Sequence, residues 1–167
     1  MGSRARTAMV VSTIFVAMYS MASVYSSTWS CTFTGCTDQT IDVDEVTSWK
    51  DFAVWNSGWR SANNIVEQTF SWSLGVVEKY STYGSCSPDI TITGEYGNAG
   101  SVYYQQRSSW PSESWPGDGN SEWCYYGIKL KGVATGSRTI SVYAYRSTNG
   151  GTSWTYIGSS SFTITVE

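Results

Sequence analysis

The sequence contains no histidine. That removes Ser-His-Asp and Cys-His nucleophile systems, imidazole-ligated zinc and the usual general base at neutral pH. Charge is scarce at 14% of residues, and the 10 Lys and Arg form no basic stripe, which argues against nucleic acid as a partner. Ala, Leu, Glu and Lys are sparse, so the residues that favour helices are largely withdrawn, and no helical periodicity appears after residue 30. With only 3 Pro and no Gly-rich linker, nothing divides the chain after its N-terminal segment. No Asn-x-Ser/Thr sequon occurs, so N-glycosylation is not expected.

What is present is aromatic: 9 Trp and 12 Tyr among the 167 residues, set in Ser, Thr and Gly. That mixture favours strands and tight turns. The N-terminus differs. Arg4 and Arg6 precede an apolar stretch from Ala8 to Tyr25, about 18 residues long, near the minimum for a membrane-crossing helix. The small residues Ala22, Ser23 and Ser26 also suit a secretory leader. Residues 1–26 are therefore expected to be a signal peptide or membrane anchor, and residues 27–167 an exported domain at the cell surface or outside the cell.

The 4 cysteines agree with export. An even number in a strand-rich exported domain is expected to form two disulfides, Cys31–Cys36 as a local clip and Cys86–Cys124 as a long-range staple.

Alternation of apolar and polar residues marks the strands. Val66, Phe70, Trp72 and Leu74 share one face of their segment, as do Ile90 and Ile92 of theirs. Cys124, Tyr126, Ile128 and Leu130 point one way and Lys129 and Lys131 the other. Ile140, Val142 and Ala144 are expected inside, Tyr143 and Tyr145 outside, and Phe162, Ile164 and Val166 inside. Seven to nine short strands with turn signals between them predict an all-β fold, a single β-sandwich of immunoglobulin-like or jelly-roll type.

"STNGGTSW", residues 147–154, resembles the Asp-box of sialidase-type propellers, with Asn149 in place of the Asp. The resemblance implies a structural hairpin turn with Trp154 packed over it, and no catalytic role.

Two acidic clusters are candidate calcium sites, because a loop of hard oxygen ligands is what calcium requires. One is Asp38, Asp42, Asp44 and Glu45; the other places Asp118, Asn120 and Glu122 at alternate positions. Without histidine, an enzyme would need a carboxylate pair, as in glycoside hydrolysis, drawn from Glu67, Glu78, Glu95, Glu113 and Glu122.

The run "SSWPSESWPGDGNSEWCYY" puts Trp110, Trp115 and Trp123 in loop vocabulary. Such residues either lid the open end of a sandwich or touch a partner. Trp55, Trp110, Trp115, Trp123, Tyr143 and Tyr145 are the expected contact residues. The function expected is a non-catalytic extracellular structural or adhesive subunit that self-associates or binds another protein. A carbohydrate-binding module using loop Trp residues is the alternative, and a carboxylate-based glycoside hydrolase stands behind both.

Overall fold

The computed structural model describes residues 27–97, 101–114 and 120–167. Residues 1–26, Trp115 and Asp118 lie outside them, and with these the signal or anchor segment, one expected contact and one expected calcium ligand.

Ten strands form two sheets among the described residues, and there is no helix. The four-stranded sheet runs β1 (Thr28–Thr32), β3 (Lys50–Ser57), β8 (Ser121–Gly132), β5 (Val77–Cys86). The six-stranded sheet runs β2 (Gln39–Ile41), β10 (Thr155–Val166), β9 (Gly136–Ser147), β4 (Asn64–Ser71), β7 (Tyr103–Trp110), β6 (Thr91–Tyr96). All pairs are antiparallel except β2 with β10. The fold is a β-sandwich, as the alternation predicts.

The core forms where the two inner faces meet. Phe52 and Val54 of β3 and Cys124, Tyr126, Ile128 and Leu130 of β8 face Val66 and Phe70 of β4, Ile140, Val142 and Ala144 of β9, and Phe162 and Ile164 of β10. Each of these is at most 2% exposed. Burial of a Leu, Ile or Phe side chain stabilises by about 1.5–3 kcal/mol, so this alternation is the main source of cohesion.

Two glutamines cross the gap between the sheets. Gln68 of β4 donates to the carbonyls of Phe52 (3.2 Å) and Cys124 (3.1 Å) on the opposite sheet. Gln106 of β7 donates to the Gln68 side chain (3.3 Å) and to the Tyr125 carbonyl (3.1 Å). A polar pair of this kind penalises slipped registers, because a slip leaves buried amides unbonded. Lys50 is also buried; its ammonium donates to the Thr37 carbonyl at 2.8 Å and sits 5.7 Å from the Phe162 ring. Desolvation lowers its pKa, opposed by the nearby Cys36 and Asp38.

Cys86 and Cys124 are cross-strand partners on β5 and β8 and form a disulfide. The expected Cys31–Cys36 clip is not formed; both thiols are free. Cys31 points inward from β1 and lies against Gly158 of β10, whereas Cys36, in the turn that follows, donates to the Asp51 carbonyl at 3.3 Å. Burial raises both thiols to about 12.

Two further expectations are corrected. Leu74 is 44% exposed, because β4 ends at Ser71 and the chain turns before the alternation reaches it. Ile92 is 37% exposed because β6 is an edge strand whose register shifts at Ile92/Gly94.

Candidate functional site

The expected contact residues fall into three places. Trp110 is not a contact: it is fully buried. Its indole N–H donates to the Ser108 hydroxyl at 2.8 Å, and its ring centroid lies 5.0 Å from that of Trp29. Above it sits the guanidinium of Arg60, 5.6 Å from the ring. The Trp therefore closes one end of the sandwich from inside.

Arg60 is itself 1% exposed and organises the surrounding loops. It pairs with Asp89 (3.5 Å), Glu113 (2.9 Å) and Glu122, and donates to the Pro111 carbonyl (2.8 Å) and the Asn56 side chain (3.2 Å). Trp59 adds an indole bond of 2.7 Å to the Glu113 carbonyl. A buried guanidinium needs this much compensation, since losing its partners leaves an uncompensated charge.

The carboxylates of Asp89, Glu113 and Glu122 have ligand atoms within 4.8 Å of one another, the spacing of a metal-binding trio. The positive charge among them is Arg60. Glu122 therefore faces a guanidinium rather than an open calcium loop with Asn120. In the other acidic cluster, Asp38 accepts the Thr163 amide (2.6 Å), Glu45 accepts that of Asp42 (2.9 Å), and Asp44 pairs with Lys131 (2.7 Å). These oxygens are spent on separate partners.

Four of the five carboxylates available for hydrolysis are likewise engaged. Glu113 and Glu122 share Arg60, which fills the space a scissile bond would require. Glu67 pairs with Arg107, Glu95 accepts the Thr82 hydroxyl at 3.2 Å, and Glu78 lies in register with Lys131.

Trp55 and Trp123 do come together. They are register partners on β3 and β8 and project from the outer face of the four-stranded sheet, where Tyr125 joins them. The Tyr125 ring is 5.1 Å from Trp123 and 6.4 Å from Trp55, edge to face in both cases. Further along the same face Trp49 meets Tyr83 edge-on at 4.8 Å, with Lys129 5.1 Å above the Trp49 ring. Tyr83 lies across Gly127 of β8, where an added Cβ would come within 2.1 Å of its ring. A glycine inside a strand often marks such a close approach.

Two polar atoms of this face bond to neighbours on the same face. Trp55 donates to Thr32 at 2.9 Å, and Tyr83 to Asp51 at 2.7 Å. Desolvation and that bond raise the Tyr83 pKa. The five rings thus form a half-exposed apolar surface that no element among the described residues covers. Tyr83, Tyr125 and Trp49 were missed from sequence; the Gly127 signal was available for Tyr83.

Tyr143 and Tyr145 lie on the other side of the molecule, on the outer face of the six-stranded sheet. Their rings meet at 5.8 Å, and Tyr156 continues the series 5.7 Å from Tyr145. Beside them the hairpin at residues 147–154 is knit as the Asp-box resemblance implies. Ser147 Oγ accepts the Gly151 amide at 2.9 Å, Asn149 Oδ1 accepts the Ser153 amide at 2.9 Å, and Gly150 and Gly151 take positive φ values of 69° and 90°. This holds Trp154 5.9 Å from the Arg107 guanidinium.

No protein-family model matches the chain, and no curated protein matches it. Among solved structures it is similar to a cohesin module of a family 33 glycoside hydrolase from Clostridium perfringens, with 9% identity and a TM-score of 0.47 over 85% of this chain and 98% of that one. A non-cellulosomal cohesin from Archaeoglobus fulgidus gives 9% and 0.47 over 85% and 91%. The C-terminal domain of the AgI/II polypeptide BspA from Streptococcus agalactiae gives 8% and 0.44 over 83% and 49%. Likeness of this degree carries no argument about what the chain binds.

Proposed function

We propose that this chain is a non-catalytic binding module of an exported protein, and that a protein partner docks on the outer face of its four-stranded sheet. The observation that carries the reading is the run of five aromatics, Trp49, Tyr83, Tyr125, Trp55 and Trp123, on one uncovered face. Large aromatic patches with a polar rim characterise the centres of protein interfaces, and a module with no partner has little reason to keep one. The Trp55 indole and the Tyr83 hydroxyl are bonded within the face, so at these two rings a partner desolvates little that it must replace. The Cys86–Cys124 bridge supports an oxidising compartment, and hence export. Glu67, Glu113 and Glu122 are tied to cations of the fold and Glu95 to a hydroxyl, which supports a non-catalytic role.

The test is a photoreactive residue placed at Trp55 in the full chain, in the cells that make it. The expected result is a discrete covalent protein adduct, which Trp123→Ala suppresses and which a probe at Thr139 on the opposite face does not form. Adducts between two copies of this chain identify self-association as the docking mode. Equal adduct formation from both faces, or none from Trp55, refutes the reading.

A further inference from the structure

The outer face of the six-stranded sheet is chemically unlike the aromatic face opposite. Its register sets two parallel rows across the strands. One runs Arg107 (β7), Glu67 (β4), Tyr145 (β9), Tyr156 (β10). The other runs Tyr96 (β6), Gln105 (β7), Thr69 (β4), Tyr143 (β9), Ser159 (β10). Five adjacent strands span about 19 Å at the usual interstrand spacing, the length of a short oligosaccharide.

The polar groups in these rows hold one another in place. Arg107 makes a two-pronged pair with Glu67, through both Nε and Nη2. Gln105 donates to Glu67 at 2.8 Å and to Thr69 at 3.1 Å. The guanidinium sits 4.9 Å from the Tyr96 ring and 5.9 Å from that of Trp154. The Tyr156 and Ser159 hydroxyls share a hydrogen bond of 2.6 Å. A guanidinium has five N–H donors, so the pair with Glu67 leaves several for a ligand.

We infer that this face is a binding site for a neutral glycan chain lying across the strands. Sugar rings present apolar C–H faces and hydroxyl edges together, and the rows supply the exposed Tyr96, Tyr156 and Ser159 and the half-exposed Tyr143, Tyr145, Gln105 and Arg107, with Thr69 buried beneath Gln105. Ordering the polar groups beforehand lowers the entropy lost on binding. Neutrality follows from charge: Arg107 and Glu67 are the only charged residues at the outward positions of these rows, and they cancel. The site is independent of the four-stranded face and does not rest on a protein partner docking there.

The experiment is affinity electrophoresis of the full chain through gels containing neutral glucans, mannan, xylan or galactan, with polygalacturonate as the acidic comparison, followed by calorimetry with an oligosaccharide length series. The expected result is retardation by at least one neutral polymer. Affinity should rise with oligosaccharide length and level off once the rows are filled. Tyr145→Ala and Arg107→Gln should each weaken binding at least about tenfold without changing the melting temperature by more than a few degrees. Trp123→Ala, on the opposite face, should bind as the parent does. Absence of retardation in every neutral gel overturns the inference. So does retardation by polygalacturonate alone, or glycan binding lost in Trp123→Ala and kept in Tyr145→Ala.

Discussion

The two outer faces of this sandwich are built by the same device, the outward half of a period-two alternation, and they end up chemically different. On the four-stranded sheet the outward positions hold Trp55, Trp123, Tyr125 and Tyr83, of which Trp55 bonds to Thr32 and Tyr83 to Asp51. On the six-stranded sheet they hold Tyr143 and Tyr145 among Gln105, Thr69 and an Arg107–Glu67 pair. Aromatic content alone does not distinguish such surfaces. What does is what stands between the rings: other rings on the four-stranded sheet, and a bonded network of Gln105, Arg107 and Glu67 on the six-stranded one. One face resembles half of a dry interface, the other a polar comb.

Both faces stand on one closed end, and emptying it is the largest expected effect. Trp110→Ala removes a fully buried indole and should cost about 3–5 kcal/mol, seen as a lower urea midpoint, with binding at both faces lost together through unfolding. Arg60→Met should cost a similar amount, about 3–5 kcal/mol, because Asp89, Glu113 and Glu122 would then face one another without a counter-charge. In that variant millimolar calcium should raise the melting temperature and chelator should reverse it, a response expected to be absent from the parent. A parent melting curve that moves with chelator would show that Arg60 does not fill the cation's role.

The disulfide separates the faces. Replacing Cys86 and Cys124 by Ser opens a loop with a sequence separation of 38 and should cost about 3–4 kcal/mol on the loop-entropy model. It frees the edge strand β5, which carries Tyr83, so docking at the four-stranded face should weaken more than glycan retention at the other. Equal losses at both faces would break the comparison. Single outward truncations should matter less to folding: Trp123→Ala about 1 kcal/mol and Tyr145→Ala less, each measured by denaturant melt, while Trp123→Ala suppresses docking and Tyr145→Ala weakens glycan binding at least about tenfold.

The smallest effect concerns the free thiols. Burial holds Cys31 and Cys36 at about 12, while an unfolded thiol ionises near 8.5. Below the lower value both states keep the proton and stability does not depend on it. Above it the unfolded chain releases protons that the folded chain retains, so stability falls as pH rises toward 12. At pH 8.5 the loss is about 0.4 kcal/mol per thiol, and a Cys31→Ser, Cys36→Ser variant should lose correspondingly less stability between pH 7 and 9.

Where a strand is half buried and regular, its residues announce it. The inward Cys124, Tyr126, Ile128 and Leu130 and the outward Tyr143 and Tyr145 stand where alternation puts them. β5 gave no such signal. It is an edge strand, its residues Glu78 to Tyr80 are exposed, and a register shift between Lys79 and Ser81 interrupts the period. β1 is only 5 residues long, too short for a period to register. The burial of Trp110 was hidden because the Pro and Ser residues around it read as loop, whereas it ends β7 at an inward position of that strand's alternation. The separation of Cys31 from Cys36 was hidden for a related reason: strand direction, not sequence distance, decides where a thiol points. The candidate surfaces were half visible. Trp55, Trp123, Tyr143 and Tyr145 could be named as outward, but that they belong to opposite faces follows only from which strands pair.

Hydroxyl-radical footprinting tests the central claim most directly, applied to the full chain in its native setting and again after isolation. If the four-stranded face docks a protein, oxidation of Trp55, Trp123 and Tyr125 will be strongly suppressed in the native setting and restored on isolation, while labelling of Thr139 and Ser141 on the opposite sheet stays the same. Equal labelling of Trp55 and Trp123 in both conditions would contradict the account.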